Sequence, residues 1–159
     1  MVATRASAVL GKYWDGYLPV NVEAIASAMG VEVRYEFMGE TSGEIHLEDG
    51  RPIMRVNEWD APVRQRFTIA HELGHYALGH LREDGQKFFR DDRSHYSMSA
   101  SRLERDANHF AASILMPTDA VHYVIQNGHA TTLPALTEMF GVSRAAMQYR
   151  AANLGIIER

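Results

Sequence analysis

At 159 residues the chain has room for about one domain, and 46% hydrophobic with 23% charged residues is enough to bury a core and excludes wholesale disorder. The absence of cysteine excludes disulfides, thiol nucleophiles and every cysteine-ligated metal site. A formal charge of −4 argues against binding nucleic acid through bulk electrostatics. No run approaches the about 18 apolar residues needed to span a bilayer. Near the start only Ala8-Val9-Leu10 is continuously apolar, too short for a secretory signal, so the expected compartment is the cytoplasm. Eight histidines are many for this length.

Residues 4–15 read as a first helix. Asn21 suits the cap of a second, whose Val22, Ile25, Ala26 and Met29 share a face, with Gly30 just past its end. Val31, Val33 and Tyr35 alternate with charged residues, the pattern of a half-buried strand. Residues 43–47 and 52–56 flank Asp49-Gly50, a strong hairpin signal. A small, mostly antiparallel sheet of about three strands follows. Asp60 as cap and Pro62 in the first turn begin a helix running to about residue 78. The stretch 82–98 has no period and reads as a loop. A second strong helix spans 101–116, stopped by Pro117, and shorter helices cover 118–126, 133–140 and 143–154.

His71-Glu72-Leu73-Gly74-His75 is an H-E-x-x-H pattern. On a helix, residues four apart share a face, so two imidazoles can converge on one ion at about 2.0–2.1 Å. Glu72, displaced round the helix, reaches water beside the ion rather than the ion, the place of a general base. The competing reading is a pair of satisfied core histidines. It is disfavoured because Phe67, Ile69, Ala70, Leu73, Tyr76, Ala77 and Leu78 leave this helix no solvent face. Burying two imidazoles and a carboxylate costs several kcal/mol unless a cation compensates them.

A catalytic zinc needs a third protein ligand and an open position. Glu104, Ala107, Asn108, Ala111 and Leu115 recur along one face of the second long helix, and Gly74 offers a gap for Ala107 and Ala111. Glu104 is then placed to reach His71 and His75. Ser101-Arg-Leu-Glu104 also fits a capping box, in which the glutamate only satisfies a helix-end amide. Asp106 and His109 are rivals that point elsewhere. His80 reads as a partner of the helix C-terminus rather than a ligand. His46, His122 and His129 read as ordinary residues. His95 and Tyr96, in the aperiodic stretch, are candidates to stabilise an oxyanion.

The run Arg66-Phe67-Thr68-Ile69-Ala70-His71-Glu72-Leu73-Gly74-His75, followed by Glu104-Arg-Asp-Ala107-Asn108 and Leu115-Met116-Pro117, resembles the ImmA/IrrE family of zinc metallopeptidases. The likeness covers about residues 19 to 117. It implies a minimal zincin-like α+β domain with two crossing helices at the metal. It also implies zinc held by His71, His75 and Glu104, with Glu72 as base. The implied substrate is a DNA-binding transcriptional repressor, often encoded beside the peptidase, or an antitoxin. A His/His/carboxylate set accepts manganese or iron as well.

The expected organisation is a metallopeptidase domain over residues 1–117 and a helical subdomain over 118–159. Residues 133–155 resemble a helix-turn-helix, but charge in the tail is balanced, so packing or substrate docking is favoured over direct DNA binding. Two functional classes stand: a zinc endopeptidase, and a non-catalytic interaction module whose metal is structural or absent. The sequence does not fix the oligomeric state.

Overall fold

Asp49 and Gly50 both adopt positive φ, 50° and 77°, the geometry a two-residue type I′ hairpin demands. In the computed structural model, which describes residues 1–82, 88–89 and 98–156, that turn joins β2 (Gly43–Glu48) to β3 (Arg51–Asn57) with Glu48 opposite Arg51. β1 (Glu32–Glu36) lies parallel to β3 on its other side. A two-residue strand, β4 (Phe88–Phe89), pairs antiparallel with β2 at Glu44 and Ile45, giving the order β1-β3-β2-β4. The sheet is thus mostly antiparallel as expected, but β4 falls in the stretch read as loop. Two residues are too few to carry a period of two.

The chain enters through α1 (Val2–Tyr13) and α2 (Val22–Ala28). Asn21 caps α2 by accepting from the Ala24 amide, and Gly30 turns the chain into β1 at φ 86°. Val31 is buried, but Tyr35, expected on the same half-buried face, is exposed and donates its hydroxyl to Glu23 of α2.

α3 (Pro62–Ala77) starts one residue later than an Asp60 cap allows. Pro62 at the first helical position forces Ala61 into extended geometry (φ −60°, ψ 149°), so Ala61 is the cap residue and makes no side-chain bond. Asp60 instead faces Arg64, 3.4 Å away. Eight consecutive residues of α3, from Thr68 to His75, are buried. The helix is enclosed because β2, β3 and α2 pack on it from one side and α4 (Met98–Leu115) from the other, with α1 behind α4. Each of Ile69 and Leu73, fully enclosed there, contributes about 1.5–3 kcal/mol.

Beyond Pro117 come α5 (Thr118–Gln126), α6 (Leu133–Phe140) and α7 (Arg144–Asn153). Gly141 ends α6 in the left-handed region and Ser143 caps α7 by accepting from Ala146. Val121, Val124, Leu136, Phe140 and Met147 join the same buried cluster as Leu73 and Phe110. Two arginines tie these helices down. Arg66 of α3 donates to the carbonyls of Val20, Phe140 and Gly141 at 2.8, 3.2 and 3.0 Å, bridging α3, the α2 approach and the C-terminus of α6. Buried Arg150 donates to the Met116 carbonyl and the Thr118 hydroxyl, joining α7 to the end of α4. No helix among the described residues is long and apolar enough to cross a membrane.

Candidate metal centre

α3 brings His71 and His75 to one face, their ring centroids 4.9 Å apart. α4 supplies Glu104, whose two carboxylate oxygens take one histidine each: Oε2 is 2.8 Å from His71 Nε2 and Oε1 is 3.1 Å from His75 Nε2. The capping-box alternative for Glu104 is removed by where α4 begins. The helix starts at Met98, so Ser101 and Glu104 both lie inside it, and the glutamate has no orphan helix-end amide to satisfy. Glu72 is fully buried, with Oε1 3.9 Å from His71 Nε2. Among the described residues, His71, Glu72 and His75 each offer a donor atom within 4.8 Å of the others. His95 and Tyr96 lie outside the described residues.

The close approach of α3 and α4 depends on Gly74. A Cβ there would stand 3.1 Å from the Phe110 ring and 3.2 Å from the Ala107 carbonyl. An alanine is tolerable, since about 1 kcal/mol of helix propensity offsets the crowding. A branched chain is not. Gly74→Leu should lower the stability of the metal-free chain in urea by at least about 2 kcal/mol, and zinc affinity should fall with it as Glu104 is levered away. Unchanged stability would mean the helices are not set by this contact.

Each imidazole has a second partner. The Asn108 Oδ1 oxygen, one turn after Glu104, accepts from His71 Nδ1 at 2.8 Å. His80 Nδ1 lies 2.9 Å from His75 Nδ1. His80 reaches that place because α3 ends in a Schellman motif: Gly79 takes φ 77°, its amide bonds the Tyr76 carbonyl, and the His80 amide bonds the His75 carbonyl at 2.8 Å. Read from the sequence, His80 has only a helix-end role and Asn108 only a place on the seam. The signals that point further are the Leu-Gly-His ending and the four-residue spacing from Glu104.

Electrostatics agree with this arrangement. Burial would push the Glu104 carboxyl up, but hydrogen bonds and charge from His71 and His75 together outweigh it and hold the group at about 2. Burial pushes His75 down, and burial with His75 alongside brings His80 down to about 4. His75 and His80 are therefore neutral near pH 7, so one Nδ1 donates and the other accepts.

The donor set fits a divalent cation. His71 has an oxygen at both ring nitrogens; a cation at Nε2 would take the place of one proton there and leave the other on Nδ1 for Asn108. Ligands of a tetrahedral zinc at about 2.0–2.2 Å stand about 3.3 Å apart, a few tenths wider than the contacts seen here.

Two histidines four apart on a buried helix, a glutamate between them and a carboxylate from a second helix thus converge in one place. The family of IrrE N-terminal-like domains, a peptidase family, matches residues 26–152. The chain belongs to this family. As an IrrE N-terminal-like domain it is 28% identical over 135 residues to the radiation response metalloprotease IrrE of Deinococcus radiodurans, covering 85% of this chain and 39% of that protein. The chain therefore spans well under half the length of that relative. Its fold is similar to that of a Mycobacterium tuberculosis transcriptional regulator, with a TM-score of 0.63 at 18% identity, over 95% of this chain and 46% of the other.

Proposed function

We propose that this chain is a zinc-dependent endopeptidase making a specific cut in another protein, a DNA-binding transcriptional repressor or antitoxin. The observation that carries the reading is the convergence of His71 Nε2, His75 Nε2 and both Glu104 oxygens, with the buried Glu72 carboxylate beside them. His71, His75 and Glu104 are the ligands and Glu72 the base. A zinc ion held there supplies Lewis-acid polarisation of the scissile carbonyl and makes water acidic enough to attack near pH 7. Asn108 and His80 orient the imidazoles so that each presents Nε2. Glu72 takes the proton from the attacking water and delivers it to the departing amine, so one carboxylate serves both halves of the reaction.

Manganese or iron would also fit two imidazoles and a carboxylate. Membership of a peptidase family supports a protein substrate; the repressor and the cytoplasm are what the motif resemblance implies. The packing of α6 and α7 favours support or docking over DNA reading, because Arg150 is committed to Met116 and Thr118. β1 covers β3 along most of its length, but among the described residues β4 covers β2 only at Glu44 and Ile45, so the remainder of the β2 edge, from His46 to Glu48, is where an extended substrate could add as a strand.

The test is to incubate the zinc-loaded chain with a DNA-binding repressor, taken from the neighbouring gene where that gene encodes one. One fragment pair should appear, vanish with a chelator and return with added zinc. Intact repressor under all three conditions, with biological activity retained, would leave the non-catalytic interaction module as the reading.

A further inference from the structure

Singly exposed aromatics are ordinary. Phe37 and Trp59 are different: they are 61% and 76% exposed, lie on separate loops, and meet edge to face with centroids 5.1 Å apart. Buried Asn57 fixes both. Its side-chain amide donates to the Gly39 and Thr41 carbonyls at 3.0 and 2.9 Å, its Oδ1 accepts from the Trp59 amide at 3.1 Å, and the Glu58 amide bonds the Glu36 carbonyl at 2.9 Å. The pair is a held platform rather than a loose loop. Its surroundings are acidic. At this end of the sheet Glu36, Glu40, Glu44, Glu58 and Asp60 outnumber Arg55 and Arg64, whereas Glu32, Glu48 and Asp49 lie at the far end of β1–β3. Glu36 directly precedes Phe37, and Glu58 and Asp60 flank Trp59; Glu36 also meets Arg55 at 3.1 Å and Asp60 meets Arg64 at 3.4 Å.

The geometry points to this face as a docking surface for an arginine- or lysine-rich segment of the partner protein. A guanidinium or ammonium over the Trp59 ring gains a cation–π contact beside exposed Glu58, and the excess of acid at this end of the sheet steers the encounter. Trp and Arg are also the residues that dominate protein interfaces. The face communicates with the metal centre by position. The loop after Phe37 leads into Gly43, whose Cβ would come within 2.4 Å of the Thr68 side chain and 3.8 Å of Glu72 Cγ. Trp59 lies three residues before Pro62, the first residue of α3, the helix that carries Glu72. A cationic segment seated here holds the cleaved strand at working distance. The proposal rests on the reading that the chain acts on another protein.

The test uses the full chain carrying Glu72→Gln, so that the probe is not consumed. The probe is a labelled peptide of repeating Arg-Ser-Lys-Gly, with a Glu-Ser-Asp-Gly peptide as control. Fluorescence anisotropy should show binding by the basic peptide alone, weakened by salt, and the Trp59 indole N–H resonance should shift. Trp59→Ala and Glu58→Lys, both at exposed positions, should each weaken binding about tenfold with unchanged melting. Equal binding by those variants, or by the acidic peptide, overturns the proposal. So does a dimer in sedimentation that Trp59→Ala dissociates, which would make the face a self-contact. On a cleaved protein substrate, Trp59→Ala should raise KM and spare kcat. Cleavage with unchanged KM overturns docking alone; peptide binding with no protein cut by any form overturns the peptidase reading alone.

Discussion

Replacing Glu72 by glutamine should cost about 10²–10⁴-fold in proteolysis while leaving zinc stoichiometry and the melting temperature of the zinc-loaded chain essentially intact. The side chain is fully enclosed between α3 and the start of β2, where Gly43 leaves no room for a larger neighbour. The amide fills the same volume, so packing survives. What disappears is the ability to accept a proton from water and return it. The experiment separates two roles that proximity alone leaves together, because Glu72 shares the 4.8 Å donor cluster with His71 and His75. If zinc binding falls with activity, Glu72 is a ligand rather than a base. If cleavage proceeds at the parent rate, the proton passes through another group and the assignment is wrong.

The core of the site is legible in the sequence because it obeys helical arithmetic. His71 and His75 sit four apart, and Glu104, Ala107, Asn108 and Ala111 fall on one seam, so spacing alone puts donors on two facing helices. Local signals are less decisive where they compete. Ser101-x-x-Glu104 is a valid capping pattern, and only the start of α4 at Met98 decides against it; Met-Ser-Ala carries no strong helix-start signal. Asp60 is a good cap residue, but Pro62 shifts the boundary by one position. The Asp49-Gly50 turn is unambiguous because few sequences accept two consecutive positive φ values. The parallel register of β1 against β3, the ring contacts of Asn108 and His80, and the three carbonyls gathered by Arg66 are tertiary. No period in the chain encodes which nitrogen faces which oxygen.

Glu104→Ala should abolish most of the stabilisation that zinc confers. An ion binding only the folded chain adds about 4 kcal/mol at a concentration about 1,000 times its Kd, and that increment shrinks as the affinity falls. Calorimetric melts with and without zinc should show a large upward shift for the parent chain and little or none for the variant. The metal-free chains supply the control. There Glu104 serves as acceptor for two imidazoles, and its loss costs about 1–3 kcal/mol, typical of hydrogen bonds to a charged group. That smaller cost has a pH signature. The Glu104 carboxyl is held at about 2 against an ordinary value of 4.5, so its contribution is complete above about 4.5 and is lost as pH falls toward 2. The metal-free parent and variant should therefore converge in acid, whereas the zinc-dependent gap should close earlier, where protons compete for the histidine nitrogens. Glu104→Gln separates charge from shape: a glutamine variant binding zinc as tightly as the parent would show that the anion is not a ligand, and the two-helix metal centre would have to be redrawn around Glu72.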